Sequence, residues 1–103
     1  MEITAESPHK TLIVTCEEIV DIQLATELHG QLKSALTQGL RVEIVASRVE
    51  RIDAAILQIF YAYFRAAHER ALEATIKGAS ENFIRAAALL GLSKGLGLAE
   101  VVL

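Results

Sequence analysis

The chain is short of several residue types, and each shortage excludes something. There is one cysteine, Cys16. A lone thiol builds no internal disulfide framework, so the fold must rest on its core, and this usage fits a reducing compartment. There is one proline, Pro8, and only six glycines in 103 residues. That leaves little punctuation for a linker, and the length suits a single domain over residues 1–103. Excess charge of either sign is small: ten Lys and Arg against thirteen Asp and Glu leave a net −3. No global positive field exists to hold nucleic acid. No apolar run approaches the roughly 18 residues of a membrane span. Met1 to Lys10 lacks the basic-then-apolar pattern of a secretory signal. The expectation is a cytoplasmic domain without direct membrane insertion.

What is present is apolar. Hydrophobic residues make up 52% of the chain and charged residues 22%, which excludes disorder. A domain this long can bury roughly 65% of its unfolded-chain surface. Thr11 to Cys16 is a β-branched run and reads as a strand. Met1 to Thr4 reads as a short strand before it, with Ser7-Pro8 as the turn. Asp21 is placed to cap a helix over Ile22 to Thr37, whose Leu24, Leu28, Leu32 and Leu36 form one apolar stripe. Gly39 stands where that helix should end.

Arg41 to Ala46 is the next strand, and Asp53 opens a second helix running to about Arg70. Leu72 to Lys77 is a further strand, and Ser80 caps a third helix to about Leu90. The tail from Leu92 holds room for one more helical turn. Strands separated by helices pair in parallel. The expected class is therefore α/β. It has a mainly parallel sheet of about four strands and three to four helices, in the order β-β-α-β-α-β-α.

Several chemical motifs fail. His9, His29 and His68 lie in three separate segments, and no Cys-x-x-Cys or His-x-x-x-His exists, so no metal site is indicated. Cys16 ends an apolar strand and reads as a small buried hydrophobe. Gly91-Leu92-Ser93-Lys94-Gly95 spells the hydrolase elbow, but it follows a helix and no His lies downstream. Gly91, Gly95 and Gly97 do not follow a strand, so they do not make a phosphate loop. Leu89, Leu90, Leu92, Leu96 and Leu98 around them read as packing residues. Four of the five aromatics, Phe60, Tyr61, Tyr63 and Phe64, crowd one helix without interleaved basic residues, a poor platform for bases. No cofactor is expected.

The segment Ala46 to Gln58 joins a strand to the second helix, at the carboxyl end of a parallel sheet where sites form. A group on Ala54 would sit among free backbone N–H donors at the positive end of that helix. Here V-E-R-I-D-A-A-I-L-Q resembles the switch loop of the STAS domains, a family named for sulfate transporters and anti-sigma-factor antagonists. T-L-I-V-T-C-E-E-I-V-D, L-E-A-T-I-K-G-A-S and A-A-A-L-L-G-L-S-K-G-L-G-L resemble other family segments in the same order, the last notably in stand-alone bacterial members linked to chemotaxis gene clusters.

In the family's sporulation-type antagonists, the residue after the loop Asp is a Ser that a partner kinase phosphorylates. The resemblance aligns that Asp with Asp53 and the acceptor with Ala54, which cannot take a phosphate. Ala55 and Ile56 replace the next Ser and Gly, and Ala46 stands where a strand-end Asp is common. Ser47 is the displaced candidate acceptor in the same loop.

The second helix carries apolar side chains over an arc of roughly 200°, wider than a sheet requires. Leu57, Phe60, Phe64 and Ala67 form its centre, and Ile56, Ile59 and Tyr63 one edge. That edge is expected to be partly exposed and covered by a partner. The resemblance implies a non-enzymatic regulatory module binding an anti-sigma-factor-kinase-like protein or a chemotaxis component, with a second copy as a further candidate partner. The expected contact residues are Ser47, Arg48, Arg51, Asp53, Ala54, Ala55, Ile56, Ile59 and Tyr63. Other readings are an accessory STAS subunit of a lipid-transport ABC ATPase, and a small enzyme, for which no acid–base pair or activated nucleophile can be placed.

Overall fold

A computed structural model describes residues 2–6 and 10–98. The elements run β1 (Glu2–Glu6), β2 (Thr11–Thr15), β3 (Ile19–Val20), a 3-10 turn (Ile22–Leu24), α1 (Ala25–Gln38), β4 (Arg41–Val45), β5 (Arg51–Ile52), α2 (Ala54–Glu69), β6 (Ala74–Lys77) and α3 (Glu81–Leu89). The expected Ser7-Pro8 turn, His9 and the tail beyond Leu98 lie outside the described residues.

Strands β1, β2, β4 and β6 form one sheet in that spatial order. β1 is antiparallel to β2, and the other pairs are parallel. This follows from the connections, because each parallel pair is joined through a helix of three or more turns. The architecture is the α/β class read from the sequence. A second, two-stranded sheet pairs β3 with β5, Ile19 against Arg51 and Val20 against Ile52. Runs of two residues carry no periodic signal, and these strands were not among the expected elements.

Burial alternates along the main sheet. Leu12, Val14, Val42 and Ile44 are buried, while Ile13, Glu43 and Val45 between them are only half-buried. One face of the sheet therefore meets the core. Against it α1 brings Leu28, Leu32 and Ala35, α2 brings Leu57, Phe60, Phe64 and Ala67, and α3 brings Phe83 and Ala87. The rings of Phe60 and Phe83 lie 6.5 Å apart, which ties α2 to α3. Cys16 is buried, and burial pushes its thiol up from an ordinary 9.0 to about 11.

Some boundaries moved for local reasons. β6 starts at Ala74 because the preceding residues close α2: the N–H of Ala71 donates to His68 O, and that of Leu72 to Ala67 O. Residues 92 to 98 make hydrogen-bonded turns, with Leu96 N–H on Leu92 O at 3.0 Å. Leu92 and Leu96 are buried as expected, but Leu89 is 73% and Leu90 40% exposed. Leu89 lies about 200° round the helix from Ala87, on the face away from the core, and Leu90 follows the last helical residue. These two leucines are therefore not packing residues.

Candidate partner-binding site

The segment from Ala46 to Asp53 is held on three sides at the carboxyl end of the sheet. Ala46 N–H donates to Lys77 O, and Ala46 O accepts from Ser80 N–H. The N–H groups of Glu50 and Arg51 both donate to Glu18 O, at 2.7 and 3.0 Å. Ser80 Oγ accepts from Phe83 N–H, capping α3 as its position suggested, and donates to Val49 O at 2.6 Å. Asn82 Nδ2 donates to Glu50 O, and Val49 is buried. The loop is thus pinned at Ala46 and from Val49 to Asp53, with exposed Ser47 and Arg48 between.

Asp53 departs from its expected role. It occupies the N-cap position of α2, yet its side chain makes no capping bond there. Asp53 N–H pairs with Val20 O, extending the β3–β5 ladder, and its Oδ2 accepts the N–H of Ile22 at 2.5 Å. Asp21 Oδ1 accepts the neighbouring N–H of Gln23 at 2.9 Å. Two carboxylates therefore serve the start of the 3-10 turn, where the helix dipole favours negative charge. The α2 start keeps its first N–H groups unclaimed by that side chain, and Ala54 beside them is exposed.

Ser47, Arg48, Arg51, Asp53, Ala54 and Ala55 fall along this one segment, and Ser47, Arg48, Arg51 and Ala54 are exposed. Arg48 bonds Glu18, and that guanidinium holds the Glu18 carboxyl below its ordinary range. The apolar edge of α2 is corrected. Ile56 is 0% and Tyr63 5% exposed, so both are core residues. Ile59 is half-buried and lines a groove of about 320 Å³ between α1 and α2, with Leu32 and Leu36 opposite. The wide apolar arc is consumed because α1 covers one flank of α2 and the sheet and α3 cover the rest. The Tyr63 hydroxyl has no hydrogen-bond partner among the described residues, and burial pushes it above its ordinary pKa.

Sequence reasoning missed Ile19 and Ile22. They are 56% and 55% exposed and flank Asp53 through the β3–β5 pair and the Ile22 N–H bond. Their only signal was two isoleucines beside Glu18 and Asp21, in a stretch read as the approach to a helix. Ser93 is buried, and its Oγ has no hydrogen-bond partner, and so no bonded base, among the described residues. Among the described residues no group of His, Cys, Asp and Glu could hold a metal ion, and no helix is long and apolar enough to cross a membrane.

A one-faced α/β sheet with a pinned loop leading into α2 defines the class of domain. A family model described as "Mlab, STAS domain" matches residues 3–102, and the chain belongs to this STAS-domain family. Its fold is similar to the anti-sigma factor antagonist SpoIIAA in its unphosphorylated form, with a TM-score of 0.78 at 13% identity, over 98% of this chain and 87% of that one. The Bacillus cell fate determinant SpoIIAA in the phosphorylated form gives 0.76 at 12%, over 98% and 90%. The NMR structure of the protein TM1081 gives 0.77 at 16%, over 96% and 79%. At these identities the likeness is one of fold. No curated protein matches the sequence significantly.

Proposed function

We propose that this chain is a non-catalytic regulatory module, acting in the cytoplasm as one domain, that binds a signalling protein at the surface where the Asp53 loop meets β3. The observation that carries this reading is the exposed pair Ile19 and Ile22 beside exposed Ala54. Two large aliphatic side chains more than half exposed, next to a loop pinned by its neighbours, suit the apolar centre of a protein contact. Arg51 and the Arg48–Glu18 pair supply a polar rim. The fold likeness to the antagonist SpoIIAA supports a protein partner of the anti-sigma-factor-kinase kind, and a chemotaxis component is the other candidate. Ala54 at the acceptor position of the resemblance supports binding without a phosphate switch there.

The test is co-purification from the native host with three tagged versions: the parent chain, Ile22→Glu and Ala54→Asp. The parent should retain a protein that both variants lose while their melting temperatures stay close to the parent's. A partner held equally by all three would refute this surface. Mass spectrometry of the parent should find residues 53 to 56 unmodified, and a stoichiometric phosphate on Ser47 would show that the switch has moved rather than vanished. A captured transport ATPase in place of a signalling protein would select the accessory-subunit reading.

A further inference from the structure

A second groove lies away from the Asp53 loop. It encloses about 740 Å³ between the second half of α2 and the loop after α3. Tyr61, Arg65 and His68 stand on one stripe of α2, at i, i+4 and i+7, and form one wall. Lys94 and the backbone of Gly91, Gly95 and Gly97 form the other.

The loop wall is firmly placed. Leu92 and Leu96 are buried beneath it, and turns run from Leu96 N–H to Leu92 O and from Leu98 N–H to Ser93 O. Gly95 lies against the edge of Tyr61 so closely that a Cβ there would come 2.2 Å from Cε1. Lys94 is thereby presented toward a groove whose opposite wall carries Arg65 and His68.

Neither cation of this groove forms an ion pair among the described residues. Arg41, Arg48, Lys77 and Arg85 each face a carboxylate. Arg65 and Lys94 face none among the described residues, although Glu69 lines the same groove; Arg65 lies over the Tyr61 ring, 5.9 Å from its centre. Helix-dipole compensation accounts for cations near the end of α2. It does not account for Lys94, which comes from another segment, and the carbonyls of Ala67 and His68 already accept N–H groups from residues 70 to 72. Arg65 and Lys94 against Glu69 leave the lining a small positive excess on a chain that is net −3 overall.

We propose that this groove binds a small multivalent anion carrying phosphate or carboxylate groups. Its volume falls within the usual range for small-molecule sites, roughly 300 to 1,000 Å³. Arg65 and Lys94 approach from two elements and so match two anionic groups on one ligand. The Tyr61 ring is already taken by Gly95 and Arg65, so recognition rests on charge rather than on stacking a base. The site uses no residue of the proposed protein-binding surface, and either can fail alone.

The experiment is an amide NMR titration of the full chain with pyrophosphate and, separately, with citrate. Saturable shifts are expected at Gly91, Lys94, Gly95 and Gly97. Arg65→Gln and Lys94→Gln should each weaken binding by roughly tenfold. Lys33→Gln, on α1 outside this groove, should leave it unchanged. Saturation by pyrophosphate alone assigns phosphate chemistry, by citrate alone carboxylate chemistry, and by both a general multivalent-anion site. No saturable shift from either anion, or shifts that neither variant alters, would overturn the proposal.

Discussion

The carboxylate of Asp53 accepts the backbone N–H of Ile22, 31 residues earlier, at 2.5 Å. The residue that leads into α2 therefore stabilises the start of the helical segment that leads into α1. Both helix starts meet at this one residue, its carboxylate serving Ile22 and its backbone carbonyl serving Ile56 and Leu57.

Removing that carboxylate should be felt away from α2. Asp53→Ala should cost about 1 to 2 kcal/mol in urea unfolding, because the Ile22 N–H loses a charged acceptor. Asp53→Asn keeps an acceptor oxygen and should cost less. In amide exchange, Ile22 should lose protection before Ile56, which bonds to the Asp53 backbone carbonyl instead. Loss of protection confined to the first turn of α2 would show that the carboxylate caps its own helix.

The corrected edge of α2 separates core from boundary. Ile56→Glu places an unpaired charge at a fully buried position and should cost several kcal/mol, enough to abolish a cooperative melt. Ile59→Glu, at a half-buried position, should still melt cooperatively. Tyr63→Phe removes a buried hydroxyl without a partner among the described residues and should be neutral or stabilise the fold. A large loss from Tyr63→Phe would mean that the hydroxyl is satisfied in solution.

The contact between Gly95 and Tyr61 should behave as a coupled pair. Gly95→Ala must displace either the ring or the loop, and a cost of roughly 1 to 3 kcal/mol is expected. In the Tyr61→Ala background the same change should cost far less. Equal costs in both backgrounds would place the strain elsewhere.

Cys16 gives the fold an alkaline sensitivity. Burial raises its folded pKa from 9.0 to about 11, so the folded state holds the thiol proton more tightly than the unfolded chain. That contribution is complete below pH 9 and lost as pH rises toward 11; a two-unit shift corresponds to roughly 2 to 3 kcal/mol. Cys16→Ala should flatten the fall in stability between these values. At neutral pH a thiol reagent should modify Cys16 only as fast as the domain opens.

Local patterns by themselves determined much of this protein. The β-branched runs placed β2 and β4, the leucine spacing placed α1, and Ser80 marked the start of α3, because each signal depends on near neighbours in the chain. The order of strands and helices then required parallel pairing, since a helix must cross over between adjacent strands. Tertiary structure alone decided the rest. The β3–β5 pair joins residues 32 apart in the chain with two residues each, too few for any period to be seen. That pairing brings the Ile22 N–H to Asp53 and leaves Ile19 and Ile22 on the surface. The helical wheel of α2 showed how widely its apolar residues spread, but not that α1 would lie over Tyr63. Which part of an apolar arc is covered depends on the neighbouring helix, and no residue within α2 encodes that helix's position.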